Sequence, residues 1–139
     1  MTNFPFQIVG FDLDGTLFDT SFELTASVNH ALATLGRPPV DVAAVRGFIG
    51  EGSRAMLHAA LTATGGGDAA MVDALYPVLI DHYVAHLGTH CPPFPGLLQA
   101  LDALAARGVA CAVVTNKMER LAVGLIDARI SAGMSAIVP

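Results

Sequence analysis

From Gln7 to Leu13 the apolar positions do not alternate with polar ones. Ile8, Val9, Phe11 and Leu13 leave both faces of an extended segment apolar, with Gly10 among them. That pattern predicts a strand in a parallel sheet covered by helices on each side. The strand ends in Asp12-Leu13-Asp14-Gly15-Thr16, a polar turn at its carboxyl end, where open α/β sheets place their sites.

From Thr20 to Leu87 the period becomes helical. Asp19 or Thr20 can cap a first helix with its stripe at Val28, Ala31, Leu32 and Leu35, closed by Gly36 and stopped by Pro38-Pro39. Asp41 can cap a short second helix through Val42 and Val45 to Phe48 and Ile49, before the loop Gly50-Glu51-Gly52. Ser53 opens a third, with Met56, Leu57, Ala60 and Leu61 on one face. Gly65-Gly66-Gly67 breaks the chain, and Asp68 caps a fourth helix through Met71, Val72, Leu75, Leu79, Tyr83 and Leu87, which Pro77 should kink or split. The proline-rich run Cys91 to Gly96 reads as a stiff return linker. A helix with Leu97, Leu98, Leu101 and Leu104 inward follows, capped by Gly108. Then come a buried strand (Val109 to Val114), a helix carrying Leu121, Leu125 and Ile126, and the start of a third strand at Ala136-Ile137-Val138. The predicted class is α/β: a Rossmann-like parallel sheet core, incomplete, from residues 1–19 and 88–139, with an all-helical domain inserted at 20–87.

Composition narrows the function classes. Of 139 residues, 53% are hydrophobic and 14% charged, which is incompatible with a disordered chain. The net charge is −5 with only seven Lys and Arg, none in a run, so non-specific nucleic-acid binding is not expected. Met1 to Pro5 does not resemble a signal peptide, and no apolar stretch approaches the roughly 20 residues that span a bilayer. The expectation is a cytoplasmic protein with two reduced thiols, Cys91 and Cys111, and no membrane partner. His82, His86 and His90 share a helical spacing, but Gly88 and Pro92 interrupt it, so they read as solvated helix-end residues rather than metal ligands.

The candidate chemistry lies in the two strand-end turns. Asp12 and Asp14 could serve one phosphoryl group, one carboxylate attacking it while the other protonates the leaving oxygen. Gly15 permits the sharp turn, and Thr16 can hydrogen-bond back to fix it. The backbone N–H groups of that turn, the Thr115 hydroxyl, the Asn116 amide and a divalent metal could hold the anionic phosphate.

Phe11-Asp12-Leu13-Asp14-Gly15-Thr16-Leu17-Phe18-Asp19-Thr20 resembles motif I of the haloacid dehalogenase superfamily, DxDGTxxD, and Val113-Val114-Thr115-Asn116-Lys117 resembles its motif II. The helical insert stands where that superfamily carries a cap domain. Asp14 favours phosphoryl transfer over dehalogenation, and Lys117, the single lysine, lies outside the insert, which excludes the Schiff-base branch. Phosphoglycolate phosphatases look closest. The helix after Asp19-Thr20, Asn29-His30-Ala31-Leu32, Arg46 to Gly52, Phe94-Pro95-Gly96 and Val114 to Lys117 carry that likeness.

The resemblance implies that Asp12 forms an aspartyl-phosphate and binds Mg2+. Asp14 would act as acid and base and bind the metal through its carbonyl. Thr115, Asn116 and Lys117 would hold the phosphate of a small phosphorylated metabolite, and the Arg46 to Arg54 segment would contact the rest of the substrate. Arg46 and Arg54 read equally well as solvated helix-face residues, and Lys117 as a surface residue at a helix start.

The family pattern continues with a motif III lysine and motif IV acidic residues, for which nothing after Val138 remains, and Lys117 is no obvious substitute. The expectation is therefore the N-terminal part of a larger enzyme, which by itself binds Mg2+ weakly and turns over phosphate esters poorly or not at all. An open edge on the first strand would invite pairing with a second copy. A non-catalytic fragment or binding module, or a sugar-phosphate mutase using the same two aspartates, are the alternatives.

Overall fold

The structure is a computed structural model that describes residues 4–130 and 137–138. The elements run β1 (Ile8–Phe11), α1 (Ser21–Ala33), α2 (Val42–Arg46), α3 (Ser53–Ala63), α4 (Ala69–Ala85), α5 (Leu97–Ala105), β2 (Ala110–Val113), α6 (Glu119–Ile130) and β3 (Ile137–Val138). The three strands form a parallel sheet in the order β1-β2-β3, with Ile8 opposite Ala110, Phe11 opposite Val113, and Cys111 opposite Ile137. The fold class is the expected α/β one, with helices between strands supplying the crossovers that parallel pairing requires. Ala136, read as part of the third strand, lies outside the described residues.

Two apolar clusters form. One is built within α1 to α4, from residues such as Val28, Leu32, Leu57, Leu61 and Leu79, and reaches Leu121 of α6. The other joins Leu13, Leu17, Phe18 and Cys91 to Leu97, Leu101 and Leu125. Each fully buried leucine contributes about 2 kcal/mol relative to exposure, so the larger helical cluster is a substantial core of its own.

Local signals set several helix ends. Asp41 Oδ1 accepts from Ala44 N–H at 2.7 Å and Asp68 Oδ1 from Met71 N–H at 2.9 Å, satisfying donors at the starts of α2 and α4. Gly36, at φ +66°, closes α1: its N–H donates to Ala33 O, and Arg37 N–H donates back to Leu32 O.

Several expectations need correction. Leu35 falls beyond α1 and is exposed, because the helix has already ended at Ala33. Pro77 does not split α4, which is continuous from Ala69 to Ala85. Pro77 and Asp73, whose carbonyl loses its i+4 donor, are both exposed, so water can serve that carbonyl. Leu98 is 56% exposed rather than inward, since the stripe that meets the sheet passes through Leu97 and Leu101. The first strand is not covered on both faces: Ile8 is 65% exposed and, on the neighbouring segment, Val114 is 68% exposed. No described element packs over that patch. The return linker behaves as expected of stiff backbone. It pairs with the motif I segment through Asp19 N–H to Pro92 O and Phe94 N–H to Leu17 O.

Candidate active site

The turn after β1 is organised by Leu13, which is completely buried and whose carbonyl accepts from the N–H groups of Thr16, Leu17 and Phe18. Gly15 makes this possible at φ +77°, a region that costs an L side chain strain, while its N–H donates to Phe18 O at 2.9 Å. The two carboxylates flank the Leu13 anchor. Asp12 is exposed, and its Oδ1 accepts from Leu13 N–H at 2.7 Å. Asp14 is held more tightly: its Oδ1 accepts from the Thr20 hydroxyl at 2.7 Å and from Lys117 Nζ at 2.9 Å. Its side chain is only 13% exposed, and that of Lys117 only 6%.

The turn after β2 approaches from the side. Thr115 Oγ1 accepts from Lys117 N–H at 3.1 Å, which fixes the short turn and directs Lys117. The Asn116 amide donates to the carbonyl of Gly50, so the loop between α2 and α3 is tied to the second strand's end. Lys117 Nζ donates also to Tyr83 Oη of α4, at 2.8 Å. The lysine that looked no obvious substitute for a later one therefore does reach motif I, at Asp14. Of the three motif II residues, Lys117 contacts the Asp12–Asp14 turn, Asn116 lines a cavity with Asp14, and Thr115 bonds within its own turn.

The arginines stand at two different places. Arg46 Nη2 pairs with Asp19 Oδ2 at 3.0 Å and its Nε donates to Ser21 Oγ at 3.2 Å. Arg46 is half exposed, so the pair adds little stability. Arg54 pairs with Asp73 and lies 4.2 Å from the centre of the Tyr76 ring. Arg54, Tyr83, Asn116, Lys117 and Asp14 line one cavity between the helical segment and the sheet. Arg46 lines a separate one with Asp14 and Asp19.

Two groups depart clearly from their ordinary ionisation here. The Ser21 hydroxyl bonded to it holds Asp19 below the usual 3.8, with burial opposing and the Ser21 N–H and the Arg46 charge adding to the shift. Burial foremost, then the negative charges of Asp14 and Glu23, pushes the Tyr83 phenol well above its usual range, so it stays a neutral hydroxyl.

Sequence reasoning missed three residues. Tyr83 was read only as part of a core stripe, although a phenol among aliphatic neighbours needs a polar partner. Thr20 was read as a helix cap but donates to Asp14 instead. Glu23 is 4% exposed and accepts from the N–H groups of Gly88 and His90 at 3.2 and 2.6 Å, which ties α1 to the return linker. No periodicity signalled it.

The histidine expectation also changes. His30, His82 and His86 stack in sequence, with ring centres 4.4 and 4.2 Å apart, whereas His90 packs edge-on against Phe22. Among the described residues no group of three or more His, Cys, Asp or Glu is placed to hold a metal. No helix of the described chain is long and apolar enough to cross a membrane.

Comparison with known proteins matches this arrangement. Residues 9–138 match the family described as haloacid dehalogenase-like hydrolase. A phosphoglycolate phosphatase of Agrobacterium fabrum is 40% identical over 129 residues, covering 91% of this chain and 55% of that protein. One from Caulobacter vibrioides is 39% identical over 121 residues, covering 86% of this chain and 51% of the other. The crystal structure of a predicted phosphoglycolate phosphatase from Haemophilus somnus superposes with a TM-score of 0.81 at 27% identity, covering 88% of this chain and 57% of that one. The chain spans about half the length of the curated relatives it matches. With a family match over nearly its whole length, and with the two motif turns meeting in space, the chain belongs to the haloacid dehalogenase-like hydrolases.

Proposed function

We propose that this chain carries the nucleophile and the acid/base of a phosphatase for small phosphomonoesters, phosphoglycolate-like ones foremost. The observation that carries the reading is the Lys117–Asp14 contact, which joins the two strand-end turns beside a cavity that Asp14, Asn116 and Lys117 line together with residues of the helical segment. That segment, residues 20–87, would act as the cap over a core formed by 1–19 and 88–139.

Asp12, exposed and unencumbered by any ion pair among the described residues, is the nucleophile. Its carboxylate oxygen bonds to phosphorus as the ester P–O bond breaks, and Asp14 passes a proton to the departing alkoxide. Asp14 then takes a proton from water. The resulting hydroxide adds to phosphorus, the aspartyl P–O bond breaks, and inorganic phosphate leaves with Asp12 restored. Thr115 can donate its hydroxyl proton to a phosphate oxygen, because its Oγ1 is already the acceptor for Lys117 N–H. Asn116 and Lys117 would release Gly50 and part of the Asp14 contact to do the same. Arg54 shares the cavity with Asp14, so it suits a carboxylate on the leaving alcohol, exchanging Asp73 for it. Arg46 would serve from the rim.

The donors fit a hydrated Mg2+ in kind. The Asp12 carboxylate and the Asp14 carbonyl are hard oxygen ligands, and Mg2+ keeps several waters. Such an ion supplies charge neutralisation on the transferred phosphoryl group.

The test is Mg2+-dependent phosphate release from a panel of small esters by the full-length protein and its Asp12→Asn and Asp14→Asn variants. Asp12→Asn should release none above background, and Asp14→Asn should be slower by about two to four decades, as loss of an acid/base predicts. Equal rates for the full-length protein and its Asp12→Asn variant would sink the reading.

A further inference from the structure

We propose that Tyr83 is a positioning residue of this site: from the helical segment, its hydroxyl holds the Lys117 ammonium against Asp14. The proposal rests on the assignment of Asp14 as acid/base, and it makes the state of that carboxylate depend on where α4 sits. Three observations support it.

First, the side chain differs from what packing alone requires. Tyr83 is 1% exposed at the end of a stripe of Val72, Leu75 and Leu79. A phenylalanine would fill the same volume without a polar atom to satisfy, whereas a buried phenol is costly unless bonded. The bond it makes is to Lys117.

Second, Lys117 is the only lysine in the chain and is nearly buried. An ammonium on four methylenes is a mobile point charge. Here two anchors on different elements fix it: Asp14 Oδ1 at 2.9 Å and Tyr83 Oη at 2.8 Å, with the Tyr83 ring centre 4.5 Å away. Asp14 stands after β1, Lys117 after β2 and Tyr83 in the last turns of α4, so the three meet only when the helical segment lies against the sheet.

Third, the adjacent residue is tied across the same seam, Asn116 to the carbonyl of Gly50. Two consecutive residues of motif II therefore grip the helical segment at separate points. Withdrawal of α4 removes one of the ammonium's two anchors and leaves it free to follow a phosphate oxygen. Return of α4 draws it back onto Asp14. Tyr83 thus sets how Lys117 is shared between the acid/base and a bound phosphate.

A single lysine makes the contact directly readable. In the full chain labelled with 13C-lysine, the ε-methylene gives one NMR cross-peak, and Tyr83→Phe tests the hydroxyl while keeping the ring. The expected result is a shift of that peak toward the free-lysine position, with an otherwise preserved amide spectrum. In turnover, kcat should fall about tenfold, the scale of one hydrogen bond to a charged group, with KM changed less than twofold. A lysine peak left at its original position overturns the proposal, as does a shifted peak with unchanged kcat. If Tyr83→Phe does not fold, Lys117→Met read through the Tyr83 Cζ resonance replaces it, and an unmoved resonance again overturns the idea. Absence of any turnover in the unmodified full-length protein sinks the phosphatase reading instead. The lysine peak then still decides whether Tyr83 holds Lys117.

Discussion

Asp19 shows how the last acidic residue of motif I is fixed by partners within two residues of it. Its Oδ1 accepts from both the N–H and the hydroxyl of Ser21, and Arg46 reaches Oδ2 from α2. The Ser21 hydroxyl lowers its pKa most, burial opposes, and Arg46 contributes less because it is half exposed. A carboxyl group whose folded value lies below the unfolded 3.8 stabilises the fold fully above that pH, and loses the contribution as pH falls through the lower folded value. Asp19→Asn should therefore flatten the stability–pH curve in the acid region below 3.8 while leaving its slope near neutrality alone. Chemical denaturation followed by circular dichroism across that range checks it. An unchanged acid slope would show that the Ser21 and Arg46 contacts do not persist in solution. The sequence placed Asp19 in motif I and read it as a possible helix cap, but did not say that Ser21 would be its main partner.

At the scale of elements, a buried carboxylate connects α1 to the segment that leads into the return linker. Glu23 sits in the first turn of α1 and accepts from backbone donors of Gly88 and His90 beyond the end of α4. Helix starts favour negative charge, and these two charge-assisted bonds add to it. Glu23→Ala removes both acceptors from a nearly buried position and should cost about 3 kcal/mol. Asp68→Ala, which deletes an exposed cap of α4, should cost only about 1 kcal/mol. Urea unfolding of both variants compares them directly. A Glu23→Ala loss no larger than that of Asp68→Ala would mean the linker is held by its own prolines rather than by α1. The caps of α2 and α4 were readable because Asp41 and Asp68 act on N–H groups three residues away. The Glu23 contacts span 65 and 67 residues, and no local pattern encodes them.

For the whole molecule, the packing of α1 on α4 includes a stack of three imidazoles, His30, His82 and His86. His82 is half-buried, and Ser27 Oγ lies 2.9 Å from its Nδ1. Burial first, then the charges of His86 and His30, holds its pKa below the usual 6.5. The folded state therefore binds the proton less readily than the unfolded chain does. The stabilisation is complete above 6.5 and is lost as pH falls from there through the lower folded value. The melting temperature should drop on mild acidification, and His82→Phe, which keeps an aromatic ring in the stack, should reduce that drop. Thermal melts of both proteins on either side of 6.5 measure it. Equal drops would place the sensitivity elsewhere.

What the sequence by itself determined was everything set by short range. The starts of α2 and α4 followed from aspartates acting three residues ahead, and the α1 stop from a glycine able to take a positive φ. The candidate chemistry was read from the density of polar groups in the two strand-end turns. Periodicity also gave the α/β class, because parallel strands need helical crossovers whatever their detailed packing. Burial was less legible: the apolarity of Ile8 and Leu98 did not say whether another element covers them, and in the described structure none covers Ile8. Only the tertiary structure decided which charge meets which. Lys117 could have reached a phosphate, the solvent or Asp14, since a long flexible side chain commits only when its neighbours exclude the alternatives. Here the turn at Thr115, the carboxylate of Asp14 and the hydroxyl of Tyr83 come from three distant segments and leave it one place to stand.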